Sequence, residues 1–272
     1  MIFEPYLSRW QLTPDGPTLA TPSSRLLSVR RCDGSQAMLK IAREEEEVRG
    51  SALMAWWNGE GAAAVLAHEG PALLMERALG RSSLLEMAET GRDDAASEII
   101  CGVAARLHAP RTRPLPPLVP LSVWFTELAA AASRDGGILR QCDTTARELL
   151  AEPREIVVLH GDLHHANVLD FGPQGWRAID PKALLGERGF DFANIFCNPT
   201  EQVATAPGRL ARQIDIVTAT ARLEPLRLLK WILAYAGLSA AWTLQAGERP
   251  DLALAVAGCA AGQLMTHGRS DV

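Results

Sequence analysis

The chain has 272 residues, 47% of them apolar and 22% charged, with 27 basic against 32 acidic side chains and a formal net charge of -5. This excludes disordered, collagen-like and small disulfide-stapled chains, and without a long Lys or Arg run it argues against a general nucleic-acid or anionic-membrane binder. The length suits one large domain or two compact lobes, and the mild acidity gives a weak preference for cationic small ligands.

Met1 to Trp10 has Glu4 and Arg9 interrupting any apolar run, so it does not read as a cleavable secretion signal. Leu26 to Val29 and Ala37 to Ile41 read as two strands around Cys32-Asp33-Gly34-Ser35, where Asp-Gly supplies a tight bend; an antiparallel hairpin is expected. Glu44 to Asn58 predicts a helix, because Val48, Ala52, Ala55 and Trp56 recur at helical spacing behind an acidic first turn and Gly59 stops it. Further strands are expected over 63–68 and 72–76, making the first eighty residues a small sheet with one helix.

After Gly80, Asp93 to His108 reads as a helix halted by Pro110, and Pro114, Pro116, Pro117 and Pro120 crowd the connection that follows. Helical patterns dominate from there, except in the region from Ile156 to Asp180. There Ile156 to Leu159 is a short buried run, and Val168 to Phe171 and Trp176 to Ile179 flank Gly172-Pro173-Gln174-Gly175 as a hairpin. Two helices, roughly Pro225 to Ala246 and Asp251 to Met265, close the pattern, and the most apolar stretch, Trp231 to Leu244, is too short to cross a bilayer. The five cysteines are widely spaced and read as reduced, mostly buried thiols, and the expected location is cytoplasmic.

The chemistry concentrates in His160-Gly161-Asp162-Leu163-His164-His165-Ala166-Asn167, with Asp180 at the far end of the hairpin. H-x-D-L-x-x-x-N followed by Asp is the order of a kinase catalytic loop and metal aspartate. Phosphoryl transfer needs one carboxylate to orient the attacking hydroxyl and accept its proton late, plus an amide oxygen and a second carboxylate to hold magnesium on the phosphates. Asp162, Asn167 and Asp180 fit these roles. Lys40, ending Ala37-Met38-Leu39-Lys40, fits the strand lysine that meets nucleotide phosphates, and Glu44 to Glu47 offers partners for it, of which Glu47 is chosen. Neither G-x-G-x-x-G nor a Walker loop occurs, so the turn Thr21-Pro22-Ser23-Ser24-Arg25 is the candidate to cover the phosphates through Ser23 and Ser24.

Leu159 through Gly172, then Trp176, Ala178-Ile179-Asp180-Pro181 and Gly186 through Phe196, closely resemble the streptomycin 6-phosphotransferases of the aminoglycoside and hydroxyurea phosphotransferase group. The resemblance extends over Trp56-Trp57-Asn58-Gly59, Leu73 to Ala78, Arg106 to Pro110 and Gly237 to Trp242. It implies an α+β, protein-kinase-like fold of two lobes: a small antiparallel sheet lobe with one helix over residues 1–79, and a mainly helical lobe over 80–272, with a hinge near 76–80. It further implies that Asp162 is catalytic, that Asn167 and Asp180 bind Mg2+, and that Lys40 contacts the phosphates of ATP. Met75 would sit behind adenine, the backbone of Glu76 and Ala78 would hydrogen-bond it, and Asp191, with His160, would brace the catalytic loop. Asp180-Pro181-Lys182 replaces D-F-G and no A-P-E segment occurs, which argues against a protein substrate.

The implied acceptor is an aminoglycoside, most specifically the 6-hydroxyl of streptomycin, whose two guanidinium groups call for carboxylates. Glu187, Asp191, Asp215 and Glu224 are the candidates, and Trp242 is a stacking candidate. The alternative acceptor is hydroxyurea or an endogenous hydroxylated metabolite. A non-catalytic nucleotide-binding module is disfavoured, since it needs no such full set of Lys40, Asp162, Asn167 and Asp180. The protein is expected to be a monomer with neither nucleic-acid nor membrane partners.

Overall fold

The computed structural model describes residues 2–270, so residues 1, 271 and 272 of the two expected lobes lie outside the described residues. Helix α1 (Glu4–Arg9) leads into strands β1 (Thr13–Ala20), β2 (Ser24–Arg30) and β3 (Gln36–Ala42), then helix α2 (Glu45–Trp57) and strands β4 (Val65–Glu69) and β5 (Ala72–Glu76). The five strands form one antiparallel sheet in the order β1-β2-β3-β5-β4. Strand alternation divides β3: Leu39 and Ile41 join Leu27, Val29 and Leu74 in a core closed by Phe3 and Leu12, while Lys40 between them turns to the opposite face, toward α2.

Strand β1 was not expected from Thr13-Pro14-Asp15-Gly16-Pro17. It lies at the sheet edge, is mostly exposed and slips register between Pro14 and Thr18, and an edge is where proline is tolerated. Helix α2 ends on Asn58 in the left-handed conformation, its N–H bonded to the Met54 carbonyl. Gly50 lets α2 approach closely: a Cβ there would stand 2.2 Å from the carbonyl oxygen of Pro181, beside Asp180. The lobes are joined where Ala63 donates to Ala178 O, Ala178 to Gly61 O and Gly80 to Asp170 O.

The second lobe continues with α3 (Leu84–Glu89), α4 (Asp93–Leu107), β6 (Val119–Pro120), α5 (Leu121–Trp124), α6 (Thr126–Asp135), α7 (Gly137–Ala151) and β7 (Ile156–Leu159). The hairpin β8 (Val168–Asp170) and β9 (Trp176–Ala178) follows, then β10 (Leu184–Glu187), α8 (Gly189–Ala193), α9 (Glu201–Ala204), α10 (Arg209–Ala221), α11 (Pro225–Gln245) and α12 (Asp251–Ser270). Strand β10, also unexpected, pairs antiparallel with β7 and parallel with β6. Helix α11 is buried along most of its length, and one continuous core joins it to α4, α7 and Trp57 of α2. Among the described residues no helix is long and apolar enough to cross a membrane. Cys101, Cys142 and Cys197 are buried, and burial pushes each thiol up to about 12.

Candidate active site

The loop of residues 160–167, the expected catalytic loop, leaves β7 at Leu159 and is held from behind by Asp191 of α8. The buried Asp191 carboxylate accepts the backbone N–H of His160 at 2.9 Å and of Gly161 at 2.8 Å, and His108 Nε2 lies 2.8 Å from it. His160 is wholly buried, and burial lowers its pKa, so the ring is neutral. Its tautomer follows from its partners: Nε2–H donates to Ile179 O at 2.8 Å, and Nδ1 accepts the N–H of Asp162 at 3.2 Å. Gly161 has φ +87° and packs so closely that a Cβ would meet Leu184 at 2.9 Å and Lys182 at 3.0 Å. Both the dihedral and the space require glycine there.

Asp162 is thereby aimed into a cavity of about 540 Å³, with its side chain 31% exposed. Asn194 Nδ2 donates to Oδ1 at 3.0 Å and Asn167 Nδ2 to Oδ2 at 3.1 Å. Burial by itself would raise the carboxyl, but His164, His160 and the charge of Lys182 hold it at about 2. Asp162 is therefore an anion at neutral pH, suited to orienting a hydroxyl and accepting its proton late.

A second cavity, of about 380 Å³, lies on the other side of the Asp180-Pro181 segment and is lined by Ser23, Ser24, Lys40, Met75, Asn167 and Asp180. Lys40 ion-pairs with Glu47 and with Asp180. Glu47 also accepts from Ser23 Oγ at 3.1 Å, which ties the turn over this cavity to α2. Burial would raise the Asp180 carboxyl, but the ammonium groups of Lys40 and Lys182 hold it below the usual carboxylate range. Asn167 commits its amide nitrogen to the Asp162 backbone and carboxylate, orienting the side chain beside Asp180. Among the described residues no group of three or more His, Cys, Asp or Glu makes a metal site by itself. One carboxylate and one amide oxygen are the partial oxygen set that magnesium completes with phosphate and water, so these residues fit that ion.

Several expected acceptor ligands lie elsewhere. Glu187 is only 5% exposed, and its carboxylate is taken by Arg227 Nε and Nη2 at 2.6 Å each, Trp231 Nε1 at 2.8 Å and the Arg154 N–H at 2.8 Å. It is a buried strut of the helical lobe, because Arg227 and Trp231 on α11 enclose it. Asp191 does not line the cavity around Asp162 either, since the loop amides and His108 absorb its carboxylate. Glu224 caps α11 by accepting the N–H groups of Leu226 and Arg227, and Asp215 sits by a separate depression with Pro225 and Leu229. Trp242 does line the cavity, edge-on to Trp124 with ring centroids 5.0 Å apart.

At the junction of the lobes, Met75 lines the cavity of Lys40 and Asp180. The Glu76 N–H is committed to Ala64 O, its carboxylate accepts from Ala64 N and pairs with Arg177, and Ala78 packs on the core. Glu46, Trp124, Glu127 and Tyr235 in the cavity around Asp162, and Asn194 and His108 in the bracing of the loop, were not expected from the sequence. Asn194 and His108 do fall within the stretches that carry the resemblance. The cavity residues had no such signal, since they come from α2, α5, α6 and α11.

The family described as aminoglycoside/hydroxyurea antibiotic resistance kinase matches residues 9–247. The chain is 52% identical over 246 residues to a streptomycin 3″-kinase of Klebsiella pneumoniae, covering 89% of this chain and 92% of that protein. It is 31% identical over 254 residues to a streptomycin 6-kinase of Streptomyces griseus, covering 89% and 81%. A hydroxyurea phosphotransferase of Kitasatospora aureofaciens is 33% identical over 266 residues, covering 93% and 76%. Among solved structures, an aminoglycoside phosphotransferase crystallised with AMP-PNP and hygromycin B superimposes with a TM-score of 0.66 at 16% identity, covering 100% of this chain and 99% of that one. A choline/ethanolamine kinase family protein of Mesorhizobium loti gives 0.63 at 16% identity, covering 98% and 94%. The fold is thus the protein-kinase-like α+β fold, and the chain belongs to the aminoglycoside/hydroxyurea antibiotic resistance kinase family of phosphotransferases.

Proposed function

We propose that the protein transfers the γ-phosphoryl group of ATP to a hydroxyl of streptomycin and so inactivates it. The observation that carries this reading is the cavity around Asp162: its walls hold the carboxylates of Glu46 and Glu127 and the indoles of Trp124 and Trp242, and it adjoins the cavity of Lys40 and Asp180. Carboxylates pair with guanidinium groups and indole faces stack on them, so the pocket suits a large ligand that carries guanidinium groups. The 3″-hydroxyl is favoured over the 6-hydroxyl that the sequence motifs suggested, because identity to the 3″-kinase is 52% against 31% to the 6-kinase.

In this reading residues 1–79 form the nucleotide lobe and 80–272 the acceptor lobe, joined by a hinge near 76–80. Met75 packs behind adenine, the Ala78 amide and the Glu76 carbonyl are the backbone groups that meet its edge, and Ser23, Ser24 and Lys40 meet the phosphates. Glu47 holds Lys40 in place. Asn167 and Asp180 would hold magnesium, which neutralises phosphate charge when bound. Asp162, held by Asn167 and Asn194, orients the acceptor hydroxyl and takes its proton as the loose transition state passes.

The test incubates the protein with magnesium and ATP against streptomycin, other aminoglycosides and hydroxyurea, and locates phosphate in any product by mass spectrometry and phosphorus NMR. Streptomycin 3″-phosphate is the expected product, and it should vanish in Asp162→Ala. Phosphate on the 6-position would overturn the regiochemistry alone. Turnover of hydroxyurea but not of streptomycin would overturn the acceptor.

A further inference from the structure

Lys182 is an ammonium group in the wall of a cavity that otherwise suits a cation. Its backbone N–H donates to His160 O at 2.7 Å, and its Cβ abuts Gly161, so the residue is fastened to the catalytic loop. The side chain is 17% exposed, and Nζ lies 3.0 Å from Glu46 Oε1 and 3.3 Å from Glu47 Oε1. Asp162, Glu46 and Lys182 line the same cavity. At rest Glu46 and Glu47 neutralise this ammonium group, and it opposes a cationic acceptor once Glu46 turns away, unless another anion takes its place. The anion this reaction brings to that place is the phosphoryl group in transit.

Glu47 supports this reading because it binds two lysines at once. Oε2 takes Lys40, which opens on the nucleotide-side cavity, and Oε1 takes Lys182, which opens on the acceptor side. The two ammonium groups therefore flank the Asp180-Pro181 segment, where the cavities meet. Glu46, half-exposed, is the partner that Lys182 can exchange for an incoming anion.

We propose that Lys182 is a further catalytic residue, whose Nζ contacts a non-bridging oxygen of the transferring phosphoryl group from the acceptor side. The inference rests on the kinase reading above. As the bond between the acceptor oxygen and Pγ forms, the bond from Pγ to the β–γ bridging oxygen breaks and ADP leaves with the electron pair. The hydroxyl proton passes to Asp162, and Lys182 keeps its own proton, offsetting charge on the equatorial oxygens.

The experiment compares wild type with Lys182→Met, Lys182→Gln and Lys182→Arg. It measures kcat and KM for streptomycin, the slow hydrolysis of ATP with water as acceptor, ADP affinity by calorimetry, and Tm. The Met and Gln variants should lose on the order of 10²-fold in kcat for both streptomycin and water, as removal of one transition-state donor does elsewhere. ADP affinity should hold, the KM for streptomycin should stay level or fall, and Arg should restore part of the rate. Unchanged hydrolysis in both variants, with any effect confined to the KM for streptomycin, would overturn the proposal and make Lys182 an acceptor-side element. Gln keeps donors for Glu46 and Glu47, so it serves if Met fails to fold. Failure of wild type to phosphorylate streptomycin would strike the acceptor reading instead, and hydrolysis would still decide Lys182.

Discussion

The two cavities on either side of Asp180-Pro181 are built in opposite ways. On the nucleotide side the charged groups are locked to one another: Lys40 to Glu47 and Asp180, Glu47 to Ser23, and Asn167 to Asp162. On the other side the walls come from four separate helices, α2, α5, α6 and α11, with Glu127 exposed, Glu46 half-exposed and held by Lys182, and Trp124 packed edge-on against Trp242. A phosphate site meets the same ligand in every member of a kinase family, so it gains from rigid, mutually satisfied parts. An acceptor site varies with its ligand, and side chains on separate helices can change without disturbing the transfer machinery.

The sharpest way to test that division is Asp162→Ala. Transfer should fall by about 10³-fold or more while nucleotide affinity stays within a few-fold of wild type, since Asp162 opens on the acceptor side. Radiometric transfer beside nucleotide calorimetry measures both, and a parallel loss of nucleotide binding would show that the two sides are not separable.

Next in size is Glu187→Ala. Removing this carboxylate leaves the Arg227 guanidinium without its partner, and the expected cost is about 3 kcal/mol of stability, read by denaturant unfolding. The folded enzyme should keep its KM for streptomycin. A raised KM at unchanged stability would return Glu187 to the acceptor site.

A third probe lies behind the catalytic loop. Buried Asp93 pairs with Arg209 at 2.8 Å, accepts from Gln213, and has His165 Nε2 at 3.8 Å. Burial would raise the Asp93 carboxyl, but His165 and Arg209 hold it at about 2 against an ordinary 3.8. A depressed folded pKa contributes stability above the unfolded value that is lost as pH falls through the folded one. Roughly 2 kcal/mol should therefore disappear between about pH 4 and pH 2, and this component should be missing in Asp93→Asn. Unfolding free energies measured across that window give the answer.

The smallest expected effect belongs to Glu127→Gln. Loss of one exposed carboxylate from the proposed acceptor wall should raise the KM for streptomycin about threefold, leaving kcat and ATP hydrolysis unchanged. An effect on hydrolysis would mean that the acceptor wall is coupled to the transfer machinery.

The proposed phosphoryl-transfer set was legible in the chain order of His160 to Asn167 and Asp180 because these residues sit on one loop and the hairpin after it, where local geometry brings them together. Lys40 was legible as a strand lysine, and the β2–β3 hairpin as an Asp-Gly turn between apolar runs. Strands β1 and β10 were not. The first has the composition of a turn and survives as an edge, and the second is too short to stand out and exists only because β7 lies beside it.

What the sequence by itself determined is thus the two-lobed class and the placement, on one loop and the hairpin after it, of the residues proposed to meet a phosphoryl group. Tertiary structure alone decided which carboxylates do what. In the run Glu44 to Glu47, each step along a helix turns a side chain by about 100°, so adjacent glutamates face different surroundings. Packing against β3 and the Asp180 segment sends Glu47 to Lys40 and leaves Glu46 beside Lys182 in the wall of the cavity around Asp162. Glu187 reads in sequence as a free acid beside the metal segment. Its partners, Arg227 and Trp231, arrive from α11, and only that long-range contact makes it a strut instead of a ligand.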